Sequence, residues 1–141
     1  MPHIQIEYTA NLEGAVVGGG LVEAIHQAAV DSGIFPVWGI RTVARAVSHY
    51  RVGNGDTGNG FVQVGVRIAP GRNLALRQRI AQELFSAFRQ VMAGLFKTHR
   101  LGCQLEVTEF DADVCLYQNN LAASRDAAEP LVCRPVQEVV A

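Results

Sequence analysis

Phe61-Val62-Gln63-Val64-Gly65-Val66-Arg67-Ile68, taken together with the helix-patterned residues after it, decides the fold. The alternation is that of a strand. Apolar residues stand on both faces in its first part, which places it inside a sheet. Ala69-Pro70-Gly71-Arg72 then turns the chain, and Asn73 is a suitable N-cap. From Leu74 to Thr98 the period changes. Ile80, Ala81, Leu84, Phe85, Phe88, Val91, Met92, Leu95 and Phe96 recur at spacings of three and four, the stripe of an amphipathic helix. Arg77, Arg79, Gln82, Glu83, Arg89 and Gln90 fall mainly off that stripe and read as a solvated face. After Gly102, Leu105-Glu106-Val107-Thr108-Glu109-Phe110 alternates again. A helical crossover makes the two strands of such a unit parallel.

The same order precedes this unit. His3-Ile4-Gln5-Ile6-Glu7-Tyr8 alternates as a strand with one buried face. A connection ends at Gly18-Gly19-Gly20. Leu21, Ile25, Ala28 and Ala29 then fall at helical spacing, and Ser32-Gly33 and Pro36 close the helix. Ile40 to Val52 is rich in strand formers and predicts a second strand, long or bent. Gly53 to Gly60 is a turn-rich connector. It lacks the Gly-Lys-Ser/Thr ending and the immediate helix of a phosphate loop. The two halves, residues 2–52 and 60–110, are related by an offset of about 60 residues. The expectation is an α+β fold: a duplicated β-α-β unit, with a four-stranded mixed sheet and two helices on one face. Residues 1–121 form its single domain, and 122–141 a tail of low periodicity in which 136–140 could add an edge strand. Val62, Val64 and Val66 on one face, and Phe61 and Gly65 on the other, predict apolar surface that two helices cannot hide. Oligomerisation would cover it.

Composition bounds the function. The chain has 141 residues, 49% hydrophobic and 18% charged, with a formal net charge of -1. It can build a core, and it shows no basic run that would point to nucleic acid or an acidic membrane. No stretch approaches the roughly 18 apolar residues of a membrane helix, and no targeting segment is visible. Cys103, Cys115 and Cys133 form no CxxC pair, which favours free, inert thiols and a cytoplasmic setting. His3, His26, His49 and His99 have no ligand spacing, so no metal is expected. There is no GxSxG nucleophile elbow.

The candidate chemistry starts at the second residue. A small residue after the initiator permits methionine removal, and the chain would then begin at Pro2 with a free secondary amine. Ordinary α-amino groups titrate near about 8. Burial and nearby cations lower such a value, and near neutrality the amine is an effective general base. Taken alone, proline here is common and carries no message. Arg41 opens the second strand, and Arg72 sits before a helix N-terminus, where an anion is welcome. Taken alone, each arginine reads as a surface residue or a structural ion pair. Asp111 and Asp113 read as a solvated strand end. Phe35, Trp38 and Phe61 read as core, or as the lining of an apolar pocket.

Taken together, several stretches resemble the 5-carboxymethyl-2-hydroxymuconate isomerase family of the tautomerase superfamily. They are Met1-Pro2-His3 into a strand, Gly33-Ile34-Phe35-Pro36 with Gly39-Ile40-Arg41, Pro70-Gly71-Arg72 leading into Leu74 and Arg77-Gln78, and Gln118-Asn119-Asn120. They span residues 1 to 121. The resemblance implies a homotrimer with sites near subunit boundaries, Pro2 as catalytic base, and Arg41 and Arg72 as binders of substrate carboxylates. It implies neither cofactor nor metal, and a reaction in homoprotocatechuate degradation. Two alternatives stay open. One is another tautomerase-type activity on a small enol or keto acid. The other is a non-catalytic, carboxylate-binding oligomer.

Overall fold

The protein is described by a computed structural model that covers residues 1–121 and the backbone of Arg134–Pro135. The first strand, β1 (His3–Thr9), is followed by a 3-10 turn, Ala10–Leu12, and a short helix α1, Glu13–Gly18. The sequence marks this segment only as a connection, because six residues are too few to display a helical period. Helix α2 (Leu21–Asp31) and strand β2 (Arg41–Val47) complete the first unit. The second is β3 (Asn59–Ile68), α3 (Leu74–Thr98) and β4 (Arg100–Glu109). Small strands β5 (Leu116–Tyr117) and β6 (Arg134–Pro135) pair in parallel. The expected strand over 136–140 lies outside the described residues.

The sheet order is β2-β1-β3-β4. Within each unit the strands are parallel, and β1 meets β3 antiparallel at the centre. This is the duplicated β-α-β arrangement that the repeat predicts. Alternation fixes the faces. Ile4, Ile6, Val62, Val64, Val66 and Ile68 point under the helices and are completely or almost completely buried. They pack on Leu21, Ile25 and Ala29 of α2 and on Ile80, Leu84, Phe88 and Met92 of α3. Phe96 departs from the predicted stripe and is 45% exposed, near the helix end. Asn73 caps α3, its side chain accepting from Leu76 N at 2.9 Å.

Two expectations need correction. The second strand stops at Val47 instead of Val52. Its partner β1 ends at Thr9, opposite Val47, so the residues beyond have no strand to pair with. The three valines of β3 add nothing to the open face, although Phe61 and Gly65 do stand there as expected. Val62, Val64 and Val66 all lie beneath the helices. The residues facing out are mostly polar, His3, Gln5 and Glu7 from β1, Arg41 and Arg45 from β2, Gln63 and Arg67 from β3, and Glu106 and Thr108 from β4, with Val43 and Val47 of β2 and Phe61 of β3 as the apolar ones. Because the side-chain period is two, all the branched apolar residues of β3 fall on one side. Glu7 and Arg45 form an ion pair across that face.

Candidate active site

The topology gathers one end of the sheet. β1 and β2 begin there, β3 and β4 end there, and α3 starts there. Pro2 lies immediately before β1 and is buried. Its carbonyl accepts from Arg41 N at 3.2 Å, extending the β1–β2 ladder by one step. Met1 is 8% exposed and packs on Gly39, where an added Cβ would lie 3.1 Å from the Met1 Cγ. Pro2 is therefore tied to β2 through its carbonyl, and Met1, not Pro2, makes the contact with Gly39. With Met1 in place its nitrogen is an amide. With Met1 removed, the nitrogen becomes a secondary amine at the head of β1, and any burial or nearby cation there would disfavour its protonated form.

Arg41 is exposed on the open face, beside His3 in the strand register. Arg72 is half-buried. Its Nη1 donates to the Ala69 carbonyl at 3.3 Å, and its Cζ stands 5.2 Å from the centroid of Phe35. The turn Ala69-Pro70-Gly71 places it there, with Gly71 at a φ of 106° that disfavours any side chain. Pro2, Arg41 and Arg72 thus share one end of the sheet, Arg41 on its open face and Arg72 beside the helix-side core to which Phe35 belongs.

Phe35, Trp38 and Phe61, read as core or as the lining of a pocket, do not come together as one unit. Phe35 is 5% exposed under Arg72, and Trp38 is largely open to solvent at the same end. Phe61 stands at the opposite end. There it lines a groove of about 440 Å³ with Thr9, Val47, Tyr50 and Val52. The antiparallel β1–β3 register explains this, since Phe61 N bonds to Thr9 Oγ1 at 3.0 Å, at the far end of β1. Asp111 caps the turn Ala112–Val114 by accepting from Asp113 N at 3.0 Å. Among the described residues, no group of three His, Cys, Asp or Glu side chains could hold a metal. No described helix is long and apolar enough to cross a membrane.

Three further residues near this end are not among the site residues that the sequence indicates. Asn119 Nδ2 donates to the Trp38 carbonyl at 3.2 Å and ties the chain after β5 to the loop before Arg41. His3 carries a buried Nδ1 with no hydrogen-bond partner. Burial first, and then Arg41 and Arg67, lower its pKa. Arg67 lies opposite His3, with its Cζ 5.8 Å from the centroid of Phe110. The alternation of β3 holds a signal for Arg67, because it shares the outward parity of Gln63.

Known proteins share this arrangement of strands and helices. A family model for 5-carboxymethyl-2-hydroxymuconate isomerase matches residues 2–124. The chain belongs to that family. Its isomerase relatives include the 5-carboxymethyl-2-hydroxymuconate Delta-isomerase of Escherichia coli, 28% identical over 123 residues, covering 87% of this chain and 98% of the relative. The solved 5-carboxymethyl-2-hydroxymuconate isomerase of Deinococcus radiodurans R1 superposes with a TM-score of 0.80 at 27% identity, over 86% of this chain and 92% of that one. A fused 4-OT, described as a symmetric trimer, has a TM-score of 0.63 at 17% identity over 86% and 98% of the chains. It supports the tautomerase-type fold alone. The protein is thus an isomerase of this family. Residues 125–141 lie beyond the family match.

Proposed function

We propose that the mature chain begins at Pro2 and isomerises 5-carboxymethyl-2-hydroxymuconate, with the Pro2 amine as the base. The observation that supports this most is the place of Pro2 at the head of β1, bonded through its carbonyl to Arg41 N–H. A base held this way needs little reorganisation before it reacts.

The substrate is a dienol. The amine takes the proton of the 2-hydroxyl, electrons shift through the diene, and the proton is delivered to carbon 5. The product is the conjugated 2-ketone, and the amine returns to its starting state. One of Arg41 and Arg72 holds the carboxylate beside the enol and stabilises the dienolate charge. The other holds a remote carboxylate and fixes the orientation. No cofactor or metal takes part. The working form is a homotrimer whose sites lie near subunit boundaries. It acts in the cytoplasm, in homoprotocatechuate degradation.

The test is ultraviolet-monitored isomerisation by protein that intact mass shows to start at Pro2, with Pro2→Ala alongside. Turnover that falls by about a hundredfold or more in an intact oligomer supports the reading. A fully active Pro2→Ala protein, or full activity with Met1 retained, removes the amine from the mechanism.

A further inference from the structure

On the open face, at the end where Pro2 lies, three strands contribute one row. Arg41 of β2 and Arg67 of β3 are both register partners of His3 in β1. The Phe110 ring near the Arg67 guanidinium favours the cation without neutralising it. The carboxylates of this face do not close on the row. Glu7 pairs with Arg45, and no ion pair among the described residues includes Arg41 or Arg67. Glu106 borders the same hollow as Arg67 without reaching ion-pair distance. His3 adds a donor. Its Nε2 is 3.0 Å from the Gln5 amide nitrogen, and a bond donated by that amide leaves the proton on the buried, unpartnered Nδ1. The row itself therefore supplies positive charge and N–H groups, while Glu7, already paired with Arg45, and Glu106 stand elsewhere in the lining. Beside it is a hollow of about 220 Å³ over Gly65, where an added Cβ would meet nothing within 4 Å.

We propose that Arg67, supported by His3, is a third carboxylate subsite, and that it takes the carboxymethyl carboxylate of the substrate. This rests on the functional reading above. The acid named for the family bears three carboxylates, two from muconate and one on the carboxymethyl arm. Arg41 and Arg72 account for two. Arg67 is one register step from Pro2, and its planar fork matches a carboxylate bidentately. It is a specificity-determining residue: an acid that lacks the arm does not need it.

The test compares wild type, Arg67→Gln and Arg67→Lys on two dienols, the tricarboxylate and the same compound without its carboxymethyl arm. Arg67→Gln should raise KM for the tricarboxylate roughly 5- to 30-fold and leave KM for the shorter acid unchanged, with partial rescue by lysine. Equal changes on both acids, or none on either, overturn the subsite. Loss of the oligomer in Arg67→Gln, seen by light scattering, assigns the residue to a subunit contact and also overturns it. If wild type turns over neither dienol, the functional reading fails. Calorimetric binding of the saturated, unreactive forms of both acids then decides the subsite on its own, through a selective loss of tricarboxylate affinity in Arg67→Gln or the absence of one.

Discussion

The guanidinium of Arg72 lies over the ring of Phe35, with Cζ 5.2 Å from the ring centroid, while Nη1 is spent on the Ala69 carbonyl. The ring and the carbonyl fix the plane of the fork and leave its other N–H groups for an anion. Arg72→Lys keeps the charge but loses the plane. KM should rise about tenfold with a smaller change in kcat. Phe35→Leu keeps apolar bulk and removes the ring, and should move KM in the same direction by less, because such a stack contributes roughly 0.5–1 kcal/mol at a partly exposed site. Steady-state kinetics on both variants checks this. An unchanged KM in Arg72→Lys would make Arg72 a structural residue.

Gly39 and Met1 give a test that depends on processing. A methyl group at residue 39 would meet Met1 Cγ at 3.1 Å and Met1 Cα at 3.6 Å. Gly39→Ala should therefore lower Tm by roughly 3 °C in protein that keeps Met1, and by much less in protein that starts at Pro2. Thermal denaturation of the two mass-verified forms is the measurement. Equal losses in both forms would mean that Met1 is not what limits the space.

His3 predicts a pH dependence of stability. Its folded pKa lies below its usual 6.5, through burial first and then through Arg41 and Arg67. Below that usual value the unfolded chain takes up the proton more readily than the folded one. The contribution of His3 is therefore complete above pH 6.5 and is lost as pH falls through the folded value. His3→Gln should flatten the acid side of a plot of Tm against pH between about 5 and 7.5. A slope parallel to wild type would place the dependence in other groups.

Leu84 probes the core beneath α3. It is 1% exposed and packs with the β3 valines in one cluster. Leu84→Ala should cost about 2–5 kcal/mol, read as a lower urea midpoint at an unchanged m-value. A loss well under 1 kcal/mol would show that the core collapses around the deletion.

Much of this architecture is legible in the sequence because its signals are local. The stripe from Ile80 to Met92 is a property of neighbouring residues, and so is the alternation of Ile4 and Ile6 with Gln5 and Glu7. The chain offers no local mark for where a strand loses its partner. Tyr50 and Val52 are good strand formers, yet β2 ends at Val47 because β1 ends opposite it. The polarity of the open face is hidden for a related reason. Arg67 and His3 are 64 positions apart, and only the antiparallel register brings them side by side. Residue type groups Phe61 with Phe35 and Trp38, and the same register sends it to the other end of the sheet. Pro2, Arg41 and Arg72 stand at element starts, which the sequence does mark.

The groove at the Phe61 end also bears on stoichiometry. A duplicated unit has two equivalent ends, and the register says which residues correspond. Arg41 faces His3 at the start of the first parallel ladder as Arg100 faces Asn59 at the start of the second, and Gly58 stands just before Asn59 as Pro2 stands just before His3. The second end therefore carries glycine in place of the proline, and its arginine is paired with Asp56. Leu12 crowds Gly60, and Phe61 crowds Gly102. That position is also mid-chain, where a backbone nitrogen can never be an amine. A reaction that runs through a chain terminus can thus occupy only one of the two pseudo-symmetric ends. Active-site titration of the mature enzyme should count one reactive centre per polypeptide, half of what the repeat by itself would allow.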